Sequence, residues 1–271
     1  MITIIFGAPG KGKTSLMTHL GVQEAFNEDR ICAMQASIQA LNENGFKLTV
    51  PEHCLASNYD IIAQKFWFDP RPSRRINPFR LGFANNYVKT HFSLPFECIL
   101  IAEAQLYLNS RMSMYFPDWQ SRFYEQHRHL NLDIFLDTQR PMLIDVNIRE
   151  LARFLEILNL DVRYNDYNEP CFFKWRVREI ENSSLFDKYM ASGKKDKTCY
   201  REYSIIARYN VFDCYNSQSC KPKFFSGHFD QDFDLNYSSP PEETKESFET
   251  YLNDFNDELP ENYYIKRSSK K

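Results

Sequence analysis

The start of the chain constrains its fold more than any other stretch. Residues 2–6 are apolar and mostly β-branched, a composition typical of a buried strand. The next eight residues match the motif G-x-x-x-x-G-K-[ST] in full, and apolar residues at helical spacing follow them. A strand, a glycine-rich loop and a helix in this order predict an α/β fold of the P-loop NTPase type. In such a fold, helices cover both faces of a mostly parallel sheet.

The loop supplies the groups that a nucleoside triphosphate requires. Its glycines let backbone N–H groups face the phosphates, and the helix after it presents its positive N-terminal end to the same anion. Lys13 can place its charge near the β and γ phosphates as a catalytic group, and the Thr14 hydroxyl can hold Mg²⁺. We therefore predict ATP and Mg²⁺ as cofactors. The predicted binding residues are Gly7, Ala8, Pro9, Gly10, Lys11, Gly12, Lys13, Thr14 and Ser15.

Hydrolysis by a P-loop protein also needs acidic groups at the end of another strand. The mostly apolar residues 97–102 predict a buried strand, and Glu103 follows it directly. Glu103 is the candidate catalytic base, which would orient or activate the attacking water. The preceding position, where an aspartate supporting Mg²⁺ is expected, is Ala102. The alternative for Glu103 is an acidic residue that only favours the first turn of a helix.

Two further catalytic candidates follow the next strand, predicted at residues 133–138. Gln139 can sense the γ phosphate from the tip of that strand, although an ordinary transition from strand to loop explains it equally well. Arg149 can act as an arginine finger toward a neighbouring subunit of a ring, because a planar guanidinium suits phosphate charge in the transition state. A surface salt bridge is the alternative for Arg149, and Arg128 is the other candidate finger.

The pattern changes in the second half of the chain. Three aromatic, strand-like segments at residues 154–162, 171–180 and 199–212, separated by polar turns, predict a β-rich C-terminal addition to the core. The last residues are acidic and poor in apolar side chains, which predicts a flexible tail. The predicted organisation is a P-loop core at residues 1–160, a β-rich extension at 161–236 and a tail at 237–271.

Composition limits the compartment and the partners. The net charge of −3 gives no global basic field, so any DNA contact must be local. The densest basic stretch consists of Arg71, Arg74, Arg75 and Arg80, for which a solvated loop is the simpler interpretation. Seven scattered cysteines without a C-x-x-C pair predict reduced thiols in a cytoplasm. The sequence shows neither a signal peptide nor a run of about 20 apolar residues that could span a bilayer.

Four blocks of the sequence resemble the zonula occludens toxin-like (Zot) family, the assembly ATPases of filamentous bacteriophages in the HerA/FtsK-like branch of P-loop motors. The blocks are residues 4–14, Glu103-Ala104-Gln105, residues 125–129 leading into Asp133-Ile134, and residues 138–141 continuing to Ile148-Arg149. The resemblance covers about residues 1–160. The family usually has aspartate at the position of Ala102 and commonly continues into a membrane-spanning helix, so this chain departs from it twice.

The resemblance implies an ATPase that acts at the host inner membrane and moves single-stranded DNA during phage extrusion. Its implied partners are DNA, further copies of the chain in a homo-oligomeric ring, and phage or host inner-membrane assembly proteins. Because of Ala102, an ATP-dependent assembly switch with little or no hydrolysis is the alternative. A small-molecule kinase is a third hypothesis, but Glu103 and Gln139 suit activation of water better than transfer to an acceptor.

Overall fold

An eight-stranded sheet forms the centre of the part of the chain that the structure describes. The computed structural model describes residues 1–25, 27–44, 55–61, 74–76, 78, 81, 97–110, 118–129 and 131–216. The strands are β1 (Ile2–Phe6), β2 (Leu55–Ser57), β3 (Asp60–Ile61), β4 (Arg74–Arg75), β5 (Cys98–Ile101), β6 (Asp133–Thr138), β7 (Ala152–Tyr164), β8 (Pro170–Ile180), β9 (Arg201–Ala207) and β10 (Tyr215–Asn216). The helices are α1 (Lys13–Ala25), α2 (Glu28–Glu43), α3 (Asp118–Glu125), α4 (Val146–Glu150) and α5 (Ser183–Ala191).

The strands of the sheet lie in the order β4-β2-β5-β6-β1-β7-β8-β9. Every pair from β4 to β7 is parallel, whereas β8 pairs antiparallel with β7 and β9 pairs antiparallel with β8. Strands β3 and β10 form a separate antiparallel pair. The predicted fold class, a mostly parallel P-loop sheet with a β-rich C-terminal addition, is confirmed.

Strand β1 lies inside the sheet, and all five of its residues are buried. It pairs with β6 on one side and β7 on the other, so that Phe6 is level with both Thr138 and Glu156. Parallel strands end at the same edge of a sheet. The loop after β1 and the residues after β6 therefore meet at the carboxyl edge.

Helices cover both faces of the sheet. On one face, Leu16 and Met17 of α1 and Met34 of α2 pack on buried strand residues that include Leu100 and Phe135. The opposite face carries apolar residues from the other three helices, namely Phe123, Tyr124, Ile148, Phe186 and Tyr189. Within the described ranges, no helix is both long and apolar enough to cross a lipid bilayer.

The structure differs from the sequence-based expectation in the second half of the chain. The connection between β8 and β9 is not only a polar turn, because it contains α5. Strand β9 is shorter than the predicted segment at residues 199–212 and ends at Ala207, before a short 3-10 helix at Val211–Cys214. The predicted boundary at residue 160 falls inside β7, which pairs with β8 along most of its length. Arg71, Arg80 and the tail at 237–271 lie outside the described residues.

Candidate nucleotide site

The glycine loop joins β1 to α1 at the carboxyl edge of the sheet. Gly10 and Gly12 have φ values of 75° and 72°, in the left-handed region that favours glycine. The Lys13 ammonium donates to the carbonyl oxygen of Ala8 at 3.4 Å, so this side chain lies folded over the loop. The first turn of α1 is fixed by the amide of Leu16, which donates to the carbonyl of Gly12 at 2.9 Å.

Side chains of β7 and β8 pack against this loop. A Cβ on Gly12 would lie 2.6 Å from Leu160 Cδ2, which requires a shift, and 3.2 Å from Trp175 Nε1, which is a tight contact. Trp175 belongs to β8 and is fully buried. The second glycine of the motif is therefore required both by its backbone conformation and by contact with β7 and β8.

A buried carboxylate connects the loop to the end of β5. Asp137, on β6, is fully buried. Its Oδ2 accepts a hydrogen bond from Thr14 Oγ1 at 2.7 Å, and its Oδ1 accepts one from the backbone N–H of Glu103 at 2.7 Å. Burial raises the pKa of Asp137 to about 6, although both hydrogen bonds favour the ionised form.

The residues after β5 are held in an unusual conformation. Glu103 has φ 51° and ψ 45°, a left-handed backbone that is uncommon for a residue with a side chain. Its carboxylate accepts a hydrogen bond from Gln105 Nε2 at 2.5 Å. The buried side chain of Asn58 pairs with both backbone groups of Ala102, accepting from its N–H at 2.8 Å and donating to its carbonyl at 3.0 Å. These contacts fix the direction in which Glu103 leaves the sheet.

The remaining candidates lie at two different edges. Gln139 follows β6 directly, so it shares the carboxyl edge with the glycine loop, and it is exposed. Arg149 lies in the last turn of α4, just before β7 begins beside Ile2, so it lies near the opposite edge of the sheet. Its Nη1 contacts the sulfur of Met142 at 3.0 Å. Arg128 lies in the turn before β6, also toward that edge, and is exposed.

The structure thus brings Lys13, Thr14 and Glu103 to one edge, with Gln139 beside them, and places Arg149 away from them. Sequence reasoning missed Asp137 and Asn58. Asp137 did leave a signal, because it is an acid inside an apolar strand and comes directly before Thr138-Gln139. No sequence signal points to Asn58, since a polar residue after a short strand is common.

The oxygens of this site fit a magnesium ion. Mg²⁺ is commonly held by one or two carboxylates together with substrate phosphates and water. The Thr14 hydroxyl and the Asp137 carboxylate are hard oxygen ligands of this kind, and they already touch each other. In the part of the chain that the structure describes, no cluster of three or more His, Cys, Asp or Glu residues could hold a metal by protein ligands alone.

The family model described as Zonular occludens toxin (Zot) matches residues 1–160. The chain belongs to the Zot family. This confirms the resemblance seen in the sequence, and the match includes the glycine loop, Glu103, Asp137 and Gln139. No curated protein sequence matches the chain.

The chain is similar to several solved structures. The N-terminal domain of zonular occludens toxin from Neisseria meningitidis is 21% identical, with a TM-score of 0.44 over 79% of this chain and 98% of that one. B204, the DNA-packaging ATPase from Sulfolobus Turreted Icosahedral Virus, is 14% identical, with a TM-score of 0.37 over 79% of this chain and 93% of that one. A similar protein from Sulfolobus turreted icosahedral virus 2, solved with ATP-gammaS, is 13% identical, with a TM-score of 0.36 over 79% of this chain and 93% of that one.

Proposed function

We propose that this chain is an ATP-binding and ATP-hydrolysing motor of phage morphogenesis, which couples ATP to DNA export or packaging during virion assembly. One observation carries the proposal: Asp137 links Thr14 of the glycine loop to Glu103, so phosphate-binding and water-activating groups share one edge of the sheet. Membership of the Zot family supports the phage setting.

Each candidate residue has a role in this proposal. The loop amides and Lys13 bind the β and γ phosphates, and Thr14 holds Mg²⁺. Glu103 positions the attacking water and accepts its proton, because its partly exposed carboxylate lies at the carboxyl edge. Gln139 senses the γ phosphate from the tip of β6.

The position of Arg149 favours a ring. An arginine near the amino edge of the sheet is remote from the glycine loop of its own chain, because β1 and β7 both run between the two edges. As an arginine finger it acts on the nucleotide of a neighbouring copy, in a homo-oligomeric ring around single-stranded DNA. Phage or host inner-membrane assembly proteins would hold such a ring at the membrane.

Nucleotide binding is tested by Lys13→Ala. Removing this ammonium takes away the charge that faces the phosphates, so we expect the affinity for ATP to fall at least about tenfold. Isothermal titration calorimetry measures the change, with Lys195→Ala at an exposed lysine as the matched control. An unchanged affinity in the Lys13 variant would overturn nucleotide binding at this loop.

Hydrolysis is tested by Glu103→Gln, which keeps the size of the side chain and removes the base. We expect ATP affinity to persist while turnover falls about 10²–10⁴-fold, the usual contribution of a general base. Phosphate release is measured with and without single- and double-stranded DNA, together with the mass of the assembly in ATP. Glu43→Gln, at the exposed end of α2, is the control. Equal turnover in the native chain and the Glu103 variant excludes Glu103 as the base.

The second candidate function is an assembly switch that binds ATP with little or no hydrolysis. Ala102 favours it, since this buried residue offers no carboxylate where the family usually has one. Turnover of the native chain and of Ala102→Asp separates the two functions. A native chain that hydrolyses ATP supports the motor. Turnover that appears only after the substitution supports the switch.

A further inference from the structure

We propose that Asp137 supplies the metal-supporting carboxylate of this site, from β6, in place of the one that Ala102 does not provide on β5. The inference rests on the proposed function, since it assigns the Mg²⁺ of bound ATP to this chain's own residues. It also makes Ala102 compatible with hydrolysis.

The register of the sheet places the two positions side by side. Leu100 is level with Phe135, and Ile101 with Leu136, so Ala102 and Asp137 are the next pair along β5 and β6. Leu100, Ala102 and Phe135 belong to the same core cluster as the buried residues of α1. Since side chains alternate along a strand, Asp137 points to that same face. Compared with the expected position 102 on β5, the carboxylate lies on the neighbouring strand, about 4.8 Å away.

Position 137 on β6 is closer to the glycine loop than position 102 on β5 is. Strand β6 lies between β5 and β1, and Asp137 is level with Ile5, near the end of β1. From this position its two oxygens reach the hydroxyl of Thr14 and the backbone N–H of Glu103. An acid that supports Mg²⁺ in a P-loop site must lie next to that hydroxyl and that glutamate.

Burial argues against a purely packing role. Strand β6 is otherwise filled by Ile134, Phe135 and Leu136, and an apolar residue at position 137 would avoid the cost of taking a carboxylate out of water. A neutral asparagine could still satisfy both partners, since its carbonyl oxygen can accept from the Glu103 N–H and its amide can donate to the Thr14 hydroxyl, which rotates to accept. A structural role does not need the charge of Asp137, whereas support of a metal ion does. Thr14 and Asp137 would hold Mg²⁺, which would offset the charge of the phosphates.

The test compares how strongly Mg²⁺ improves nucleotide binding. The dissociation constant of ATP is measured by calorimetry in Mg²⁺ and in EDTA, for the native chain and for Asp137→Asn. We expect the variant to bind ATP normally in EDTA and to lose the gain from Mg²⁺ by about 10–100-fold, the range for groups that support metal ligands. Asp133→Asn, at the other end of the same strand, is the control for loss of a carboxylate that is paired with Arg30.

A second variant moves the carboxylate back to β5. Asp137→Asn combined with Ala102→Asp should recover part of the Mg²⁺ gain, which a loss of folding alone would not allow. An unchanged gain in Asp137→Asn overturns the inference, and so does an equal loss of affinity in Mg²⁺ and in EDTA.

If Asp137→Asn does not fold, a measurement on the native chain tests the inference. Protein labelled with ¹³C-aspartate and loaded with Mn²⁺·ADP should show an electron–nuclear coupling to a carboxylate carbon, and its absence overturns the inference. These outcomes are separate from failure of the proposed function. If Lys13→Ala leaves ATP binding unchanged, the proposal of nucleotide binding at this loop fails. If Lys13→Ala weakens ATP binding but Asp137→Asn leaves the gain from Mg²⁺ unchanged, only the assignment of Asp137 fails.

Discussion

At the residue scale, His19 makes stability depend on pH. The side chain is buried in α1, its Nδ1 lies 2.7 Å from the hydroxyl of Tyr209, and its ring stacks on Trp175 with 5.5 Å between centroids. Burial lowers the pKa of His19 from 6.5 to about 4. Below pH 6.5 the unfolded chain therefore binds this proton more readily than the folded chain does. The free energy of unfolding should fall by up to about 3 kcal/mol between pH 6.5 and 4.

Urea unfolding at pH 7.5, 6 and 5 measures this dependence. His19→Phe keeps an aromatic ring against Trp175 and removes the titration, so its stability should fall less steeply as the pH decreases. His129→Gln, at an exposed histidine, should keep the native slope. If the His19 variant and the native chain have the same slope, another group carries the pH dependence.

At the element scale, Gly21 sets how closely α1 lies on the sheet. A Cβ at this position would lie 2.3 Å from Leu100 Cδ2, and Leu100 is fully buried in β5. Gly21→Ala should therefore destabilise the protein by about 1–2 kcal/mol, although alanine is the better helix former by about 1 kcal/mol.

A double-mutant cycle checks that contact by chemical denaturation. The cost of Gly21→Ala should disappear in a Leu100→Ala background, where the clash is absent. Gln23→Ala changes an exposed residue of the same helix and should stay within about 0.5 kcal/mol of the native stability. A stabilised Gly21 variant would show that α1 can move away from β5 without cost.

The elements also show where sequence patterns suffice. Strands β1, β5 and β6 were predicted to within one residue, because strands buried on both faces appear as short apolar runs. Helix α5 was missed, although Asn182 caps it by accepting from the amide of Leu185, and Phe186 and Tyr189 are buried three residues apart. A helix of nine residues contains too few turns to separate its period from the aromatic strands around it.

At the scale of the whole molecule, the P-loop core depends on residues beyond the Zot match. Four residues of β8 are fully buried, namely Phe173, Trp175, Val177 and Ile180. A chain that ends at residue 160 loses this strand and cuts β7 before its last residues. We expect it to aggregate and to show no cooperative unfolding, because β7 loses the strand that pairs with its edge and the core loses the buried side chains of β8.

Circular dichroism during urea unfolding and ATP titration together measure this outcome. A chain ending at Lys221, the limit of the first compact unit, keeps β8 and β9 and is the matched comparison. It should unfold cooperatively and bind ATP. Cooperative unfolding and ATP binding by residues 1–160 alone would show that the core is independent of the β-rich addition.

The sequence alone determined the glycine loop, the strand before it, the helix after it and the position of Glu103. The loop and its flanking elements are local, because the φ values, the start of α1 and Lys13 all lie within about ten residues of the chain, and Glu103 directly follows a short apolar run. Only the tertiary structure decided that Asp137 joins Thr14 to Glu103. That contact spans 123 residues to Thr14 and 34 to Glu103. It exists because β6 lies between β1 and β5, and strand order is set by the packing of the whole sheet.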